Sequence, residues 1–336
     1  MTPAARTSTV RRHLAVVLPA FNEQDVLGAT VSELLRVVPE RVEALGMTCV
    51  FIFVNDGSTD ATPRQLDHFA ELDDRIRVVH LTRNFGHQPA VTAGLAVALD
   101  TADVIAVMDC DLQDPPAVMC DMVEKLLAGH DVVYGVRRNR KESIARRFGY
   151  AAFYRLLAAV SDFDIPRDSG DFCVMDRRVV ELMEDLPERQ RFVRGLRAWV
   201  GLRQTGHEYD RPARHAGTTH YSFRAMCKFA SDGLVSFSSL PLGMVTRAGA
   251  LCGIGALALL AWVIVDGVFG FTNAQRGWPS MAALVLFVGA VQLISLGILG
   301  EYLGRVFAEV KGRPTYLIAR VSPPAHVGKR KPAKAA

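Results

Sequence analysis

Two long apolar runs near the C-terminal end restrict what this chain can fold into more than any other feature. The first covers about Ala248 to Phe271 and carries Asp266 as its sole charge; the second covers about Met281 to Gly300 and is uncharged. Each reaches the roughly 20 apolar residues that a bilayer-spanning helix needs. Buried core helices are the alternative, but uncharged stretches of this length are rare in soluble cores. The expectation is two transmembrane helices within residues 245–304. The connecting loop, Thr272 to Ser280, holds one basic residue, Arg276, whereas Arg305, Lys311, Arg313, Arg320, Lys329, Arg330, Lys331 and Lys334 follow the second run. A basic excess marks the cytoplasmic side. It predicts a multi-pass protein of an inner or plasma membrane, with both ends of the hairpin and the N-terminal bulk in the cytoplasm.

The flanking segments extend this reading. Residues 221–244 place Phe223, Met226, Phe229, Leu234, Val235 and Phe237 against Arg224 and Lys228, the pattern of an amphipathic segment at the membrane interface. Gly249, Gly253 and Ala256 offer a small-residue face through which spans could pair, so a homo-oligomer is expected. Residues 305–336 read as a basic cytoplasmic tail, disordered after Val321, and residues 1–12 as a flexible N-terminus. Arg6, Arg11 and Arg12 precede no long apolar stretch before Pro19, so a secretory signal is not expected. Net charge is only +4, which gives no reason to expect nucleic acid as a partner. None of the six cysteines forms a C-x-x-C pair; they lie in apolar runs, as reduced and buried thiols do.

The N-terminal two thirds has a different rhythm. Short apolar runs at residues 13–18, 49–54, 76–81, 104–108 and 132–135 read as buried strands. Helical spacing fills Val26 to Val38, Thr62 to Leu72, Pro89 to Leu99 and Ala117 to Leu127. This alternation predicts an α/β domain over residues 13–220 with a mostly parallel sheet flanked by helices. Such sheets bind ligands at the carboxyl ends of their strands. Polar clusters fall there: Asn22-Glu23, Asn55-Asp56-Gly57-Ser58 and Asp109-Cys110-Asp111.

Asp109 and Asp111 end the apolar strand VIAVMDCD. Where a strand turns, carboxylates one residue apart can converge, and Mg²⁺ or Mn²⁺ takes one or two carboxylates together with diphosphate oxygens. Such an ion would neutralise charge on a diphosphate leaving group. A solvated loop is the alternative. Asp56, in V-N-D-G-S-T-D, suits a turn or cap, or hydrogen bonding to a nucleotide. Pro19-Ala20-Phe21-Asn22-Glu23 suits a strand end followed by an acidic helix start.

Taken in order, L-P-A-F-N-E, V-N-D-G-S-T-D, R-N-F-G-H-Q-P-A-V-T-A-G-L and D-C-D-L-Q-D-P-P resemble glycosyltransferase family 2, whose fold is GT-A. The resemblance continues through Y-G-V-R, S-G-D-F-C-V-M-D-R-R and E-R-Q-R-F-V-R-G to the apolar runs, and is similar to polyprenyl-phosphate glycosyltransferases of the dolichol-phosphate mannosyltransferase and bactoprenol glucosyltransferase type. It implies a nucleotide pocket at Pro19, Phe21, Glu23, Asp56 and Asp109. It implies metal and diphosphate ligands at Asp109 and Asp111, with Gln113 close by. It puts Arg137 and Arg147 on the lipid phosphate, for either of which a surface ion pair is the alternative. Asp171 lies where the family approaches sugar and acceptor, with a structural role as its alternative. Family members often carry Ser-Lys-Tyr where this chain has Thr219-His220-Tyr221. His220 and Tyr221 thus fall at a phosphate position without a permanent cation.

The implied reaction moves a hexose, glucose first, from a nucleotide sugar, UDP first, to polyprenyl phosphate with inversion. That acceptor is largely dianionic at neutral pH and needs no strong general base. A processive polysaccharide synthase usually carries Q-x-x-R-W, whereas here Gln190 is followed by Arg194 without that element. A catalytically silent membrane scaffold would have no use for the acids at 23, 56, 109 and 111.

Overall fold

The computed structural model describes residues 12–138, 169–189, 191–210, 240–269 and 278–322. They divide into two compact units. One comprises the described parts of Met1–Ser143, Ile165–Thr219 and Pro314–Ala336; the other comprises those of Ile144–Asp164 and His220–Arg313.

The first unit begins with β1 (Arg12–Ala20), α1 (Leu27–Ala44), β2 (Met47–Asn55), α2 (Thr62–Leu72), β3 (Ile76–Leu81), α3 (His87–Ala98), β4 (Val104–Val107), α4 (Pro116–Leu127) and β5 (Val132–Arg138). Every strand and helix expected before residue 138 is present. β6 (Ser169–Asp176), α5 (Arg177–Glu184), α6 (Val193–Val200), β7 (Gln204–Asp210) and β8 (Ile318–Ser322) complete it. The eight strands form one sheet in the order β7-β5-β6-β4-β1-β2-β3-β8. β3, β2, β1 and β4 run parallel, whereas β6 and β8 are antiparallel to their neighbours. The segment expected to be a basic cytoplasmic tail therefore contributes residues 318–322 to the sheet as an edge strand.

Strand alternation explains the layers, because successive side chains leave opposite faces. Leu14, Val16, Leu18, Phe51 and Phe53 pack beneath α1, α2 and α4 with Leu34, Val38, Leu66, Met119 and Val123. Ala15, Val17, Ile52, Val54 and Val107 face the other way, onto α3, α5 and α6. Covering both faces is what lets these strands be apolar throughout.

α3 is the most deeply sunk helix. Ala90, Val91, Thr92, Ala93, Gly94 and Leu95 are consecutive and all buried. A Cβ at Gly94 would lie 2.3 Å from Val17 Cγ1 and 3.0 Å from Val54 Cγ2, so a residue without a side chain sets how closely α3 approaches β1 and β2. That approach carries the N-terminus of α3 to the rim of the sheet.

The second unit contains two long helices, α7 (Leu240–Phe269) and α8 (Trp278–Val310). Among the described residues, Phe287–Val310 of α8 is long and apolar enough to cross a membrane; α7 contributes a shorter apolar stretch, Val245–Ala258. The 24 residues of the α8 stretch rise about 36 Å, enough for a hydrocarbon core of about 30 Å. Leu293, Ile294, Leu296 and Phe307 are all exposed, as lipid-facing residues of such a helix would be. The stretch begins and ends later in the chain than the expected span of 281–300. Residues 221–239 of the expected interfacial segment, with His220, lie outside the described residues, and 240–244 belong to α7.

Gly94→Ala should lower the thermal unfolding midpoint. Overpacking of this kind costs about 1–3 kcal/mol, against at most about 1 kcal/mol regained from helix propensity. A midpoint above that of the wild type would show that α3 can move away from the sheet freely.

Candidate active site

The parallel strands β1, β2 and β4 end at the same rim because their registers align Ala20 with Asn55 and Val17 with Val107. Glu23, Asp56 and Asp109 follow those three ends. The rim is then organised by Asp56. Its carboxylate is buried at 3 % exposure and accepts from the Phe85 amide at 2.7 Å through Oδ1 and the Gly86 amide at 2.8 Å through Oδ2. Burial pushes the Asp56 pKa up, against the two amides that hold it down. The N-D-G-S turn thereby clamps the R-N-F-G loop. Gly57 sits at φ +66°, and a Cβ there would come within 2.4 Å of Arg83 C and Asn84 N. Only glycine allows the two loops to touch. Gly86, at φ +102°, then turns the chain into α3.

The clamp delivers His87 and Gln88. His87 Nε2 lies 3.2 Å from Asp171 Oδ2 and 3.9 Å from Asp109 Oδ1, bridging two acids from different strands. Gln88 Nε2 donates to Asp171 Oδ2 at 2.8 Å, while its Oε1 accepts from the Val193 amide at 2.8 Å. Arg194, the second residue of α6, pairs with Asp171 Oδ1 at 3.5 Å. Burial favours a protonated Asp171, yet His87, Arg194 and Arg197 outweigh it and hold the acid at about 2. His87 is itself raised: burial would lower it, but Asp171 and Asp109 prevail. Asp109 goes the other way. Removal from water pushes it up to about 6, and Asp114, Asp111 and Asp171 add to that against the pull of His87.

Around this centre the D-C-D-L-Q-D-P-P segment makes a tight loop. Thr30 Oγ1 donates to the Cys110 carbonyl at 2.5 Å, and Gln113 N donates to Asp111 Oδ1 at 3.1 Å. Leu112 adopts φ +55°, unusual for a residue with a side chain. Asp114 is buried and accepts a short hydrogen bond from the Tyr209 hydroxyl, to which Arg137 Nε donates at 3.4 Å. Burial and Asp114 push the Tyr209 hydroxyl well up, so it stays a donor. Gly170 leaves room for the Arg137 guanidinium, with Nη2 3.0 Å from where a Cβ would stand.

The expected residues Glu23, Asp56, Asp109, Asp111, Gln113, Arg137 and Asp171 fall among the strand ends and loops of this rim or are linked to them by the contacts above. Pro19 is the penultimate residue of β1, opposite Val54, and Phe21 is exposed just beyond the strand at 44 %. Arg147, His220 and Tyr221 lie outside the described residues. Each Asp56 oxygen accepts from one backbone amide, which gives this residue the turn role that its sequence context allows. His87, Gln88, Asp114, Arg194 and Tyr209 received no role from the sequence. The string F-G-H-Q marked the first two, but nothing in it tells that α3 would aim them at Asp171.

A parallel-centred α/β sheet whose rim gathers several acids and an arginine defines a GT-A glycosyltransferase. The chain belongs to glycosyl transferase family 2, whose profile matches residues 15–183. It is 41 % identical over 307 residues to an uncharacterized glycosyltransferase of Synechocystis sp., covering 91 % of this chain and 94 % of that one. It is 38 % identical over 311 residues to the bactoprenol glucosyl transferase of Shigella phage SfII, covering 91 % and 97 %. Among solved structures, glucosyl-3-phosphoglycerate synthase from Mycobacterium tuberculosis is 20 % identical, covering 68 % of this chain and 80 % of that one, with a TM-score of 0.45.

Two outcomes test the geometry. Asp56→Ala strips two part-buried amides of their charged acceptor and should cost about 2–4 kcal/mol, read as a fall in the unfolding midpoint. Asp109 titrates near 6 in the folded chain, above the ordinary aspartate value of about 3.9. The folded state thus holds an extra proton between those values, and the ionised group costs stability above about pH 6. Asp109→Asn should raise the midpoint at pH 7.5 and give no gain at pH 4. An equal gain at both would refute the crowding of acids.

Proposed function

We propose that this glycosyltransferase moves a hexose, glucose in the first instance, from a uridine diphosphate sugar onto polyprenyl phosphate at the cytoplasmic membrane face, with inversion. The observation that carries this reading is the convergence of Asp109 and Asp171 on His87 at one rim, in a chain that matches a bactoprenol glucosyl transferase over 91 % of its length. A membrane-length apolar helix supports a lipid acceptor. The basic residues after the second apolar run support a cytoplasmic active site, and the apolar lengths of the two runs at 248–271 and 281–300 support two spans.

Asp109 and Asp111 would hold Mg²⁺ or Mn²⁺. Their oxygens are hard donors, which suits either ion. Among the described residues no group of three or more His, Cys, Asp or Glu is disposed to hold a metal, so an ion at this pair would need further oxygen ligands from the donor. When bound, the ion would supply positive charge to the leaving diphosphate.

The protein's own work is positioning. Phe21 and the turn clamped by Asp56 would receive the nucleoside. Asp171, held near 2, is a poor proton acceptor, and a phosphate dianion needs none. Its role is that of a fixed anion, kept in place by His87, Gln88 and Arg194, against which the sugar is oriented. Arg137, backed by Tyr209 and Asp114, would meet the acceptor phosphate with its guanidinium fork. Arg147, His220 and Tyr221 are proposed for the same phosphate. Binding energy spent on orientation, rather than on proton transfer, would account for the rate.

Membranes containing the protein should transfer labelled glucose from UDP-glucose to an organic-extractable lipid phosphate, and EDTA should abolish the transfer. Asp111→Asn should reduce it by about 100-fold or more, the scale set by losing a charge partner of the leaving group. Transfer at the wild-type rate by that variant contradicts the metal assignment. Label found only in long water-soluble polymer contradicts the lipid acceptor.

A further inference from the structure

β8 lies beyond α8 in the chain, on the far edge of the sheet from β7. We infer that Arg320 of β8 is a positioning residue for the donor, acting through Asp67 and His80 on Asn55, the first residue of the N-D-G-S turn. The inference rests on the reading that this turn receives the nucleotide.

A continuous set of hydrogen bonds carries it. Arg320 stands directly across from His80 in the β3–β8 pairing, and both side chains meet Asp67 of α2. Arg320 Nη1 donates to Asp67 Oδ1 at 3.0 Å, and Nη2 makes a second, short bond to Oδ2. His80 Nε2 lies 3.1 Å from Asp67 Oδ1, and its Nδ1 lies 3.0 Å from Asn55 Nδ2. Asn55 Oδ1 accepts from the Ser58 amide at 3.1 Å, and Ser58 Oγ accepts from the Asn22 amide at 3.0 Å. The proton positions follow from this order. Asn55 Oδ1 is taken by an N–H, so its amide nitrogen faces the ring. His80 Nδ1 must then accept, Nε2 carries the proton, and Asp67 receives it.

His80 and Asn55 are both buried, at 5 % and 4 % exposure, so each contact matters more than it would in water. Arg320 is half exposed. A lone surface ion pair at that position would contribute little. Its second oxygen contact instead fixes the Asp67 carboxylate that orients His80. Losing Arg320 lets Asp67 turn towards water, frees the imidazole to rotate, and releases Asn55 from one side of the turn. Asn22, strained at φ +56° and bonded to Ser58 and Thr59, would loosen with it.

The test uses the full-length protein in nanodiscs, with UDP and GDP in the presence of Mn²⁺ as calorimetric probes and UDP-glucose for kinetics. Arg320→Ala should weaken binding of the preferred nucleotide and raise KM for the sugar donor about tenfold, the scale of one lost charged hydrogen bond, with kcat within about twofold. Arg320→Lys, which keeps the charge, should recover most of the loss. His80→Leu should match Arg320→Ala, and the double variant should be no worse than His80→Leu alone, because both act on one path. The inference is overturned if Arg320→Ala binds nucleotide like the wild type, if the two losses multiply, or if only the unfolding midpoint and kcat fall. Failure of the wild type to bind either nucleotide would instead remove the donor reading beneath it.

Discussion

The site depends on one carboxylate and two amides. Asp56 is driven into the protein where its charge is costly, and the Phe85 and Gly86 amides make that burial tolerable. The exchange joins the end of β2 to the start of α3. Because α3 also lies on Gly94 without a side chain between it and the sheet, both ends of its placement are fixed by close contact. His87 and Gln88 then have no choice about where they point. His87 and Gln88 inherit their positions beside Asp171 from that clamp.

The electrostatics of the rim are deliberately uneven. Asp171 is surrounded by His87, Gln88 and Arg194 and is held strongly ionised. Asp109, a few ångströms away across the same histidine, is pushed up to about 6 by its burial first and by the neighbouring acids second. Two carboxylates in one site are therefore pushed apart in proton affinity by their neighbours, and this separates their roles. The first is an anion whose charge His87 and Arg194 offset. The second is raised by its burial and by the acids around it, against the pull of His87. The same contrast runs through Arg137. It is held through Tyr209 to Asp114, so its charge is backed by a buried acid, with its guanidinium beside Gly170.

The elements before residue 138 were legible because each is long or periodic enough to declare itself. Apolar strands buried on both faces and helices with a clear apolar side leave little choice. β7, with the sequence Q-T-G-H-E-Y-D, has no such pattern. It becomes a strand because β5 offers it an unpaired edge. β8 is five residues within a basic segment, and its pairing with β3 decided its state. Read alone, that composition points to a tail, and it was so read. The apolar runs at the end named the two helices, but not where the longest apolar stretch would start.

What the sequence determined by itself is the set of chemical groups and their order: an acid after each of three strand ends, glycines where loops must touch, and apolar length sufficient for lipid. Those are properties of residue type and spacing, which a linear chain carries in full. What only the tertiary structure decided is which groups meet. Asp56 and Gly86 are thirty residues apart, His87 and Asp171 more than eighty, and Asp67 and Arg320 over two hundred and fifty. Such pairings arise from sheet order and helix docking, where a single backbone register sets many contacts at once. No local pattern encodes them, because the forces that select them act between segments that are neighbours only after the chain has folded.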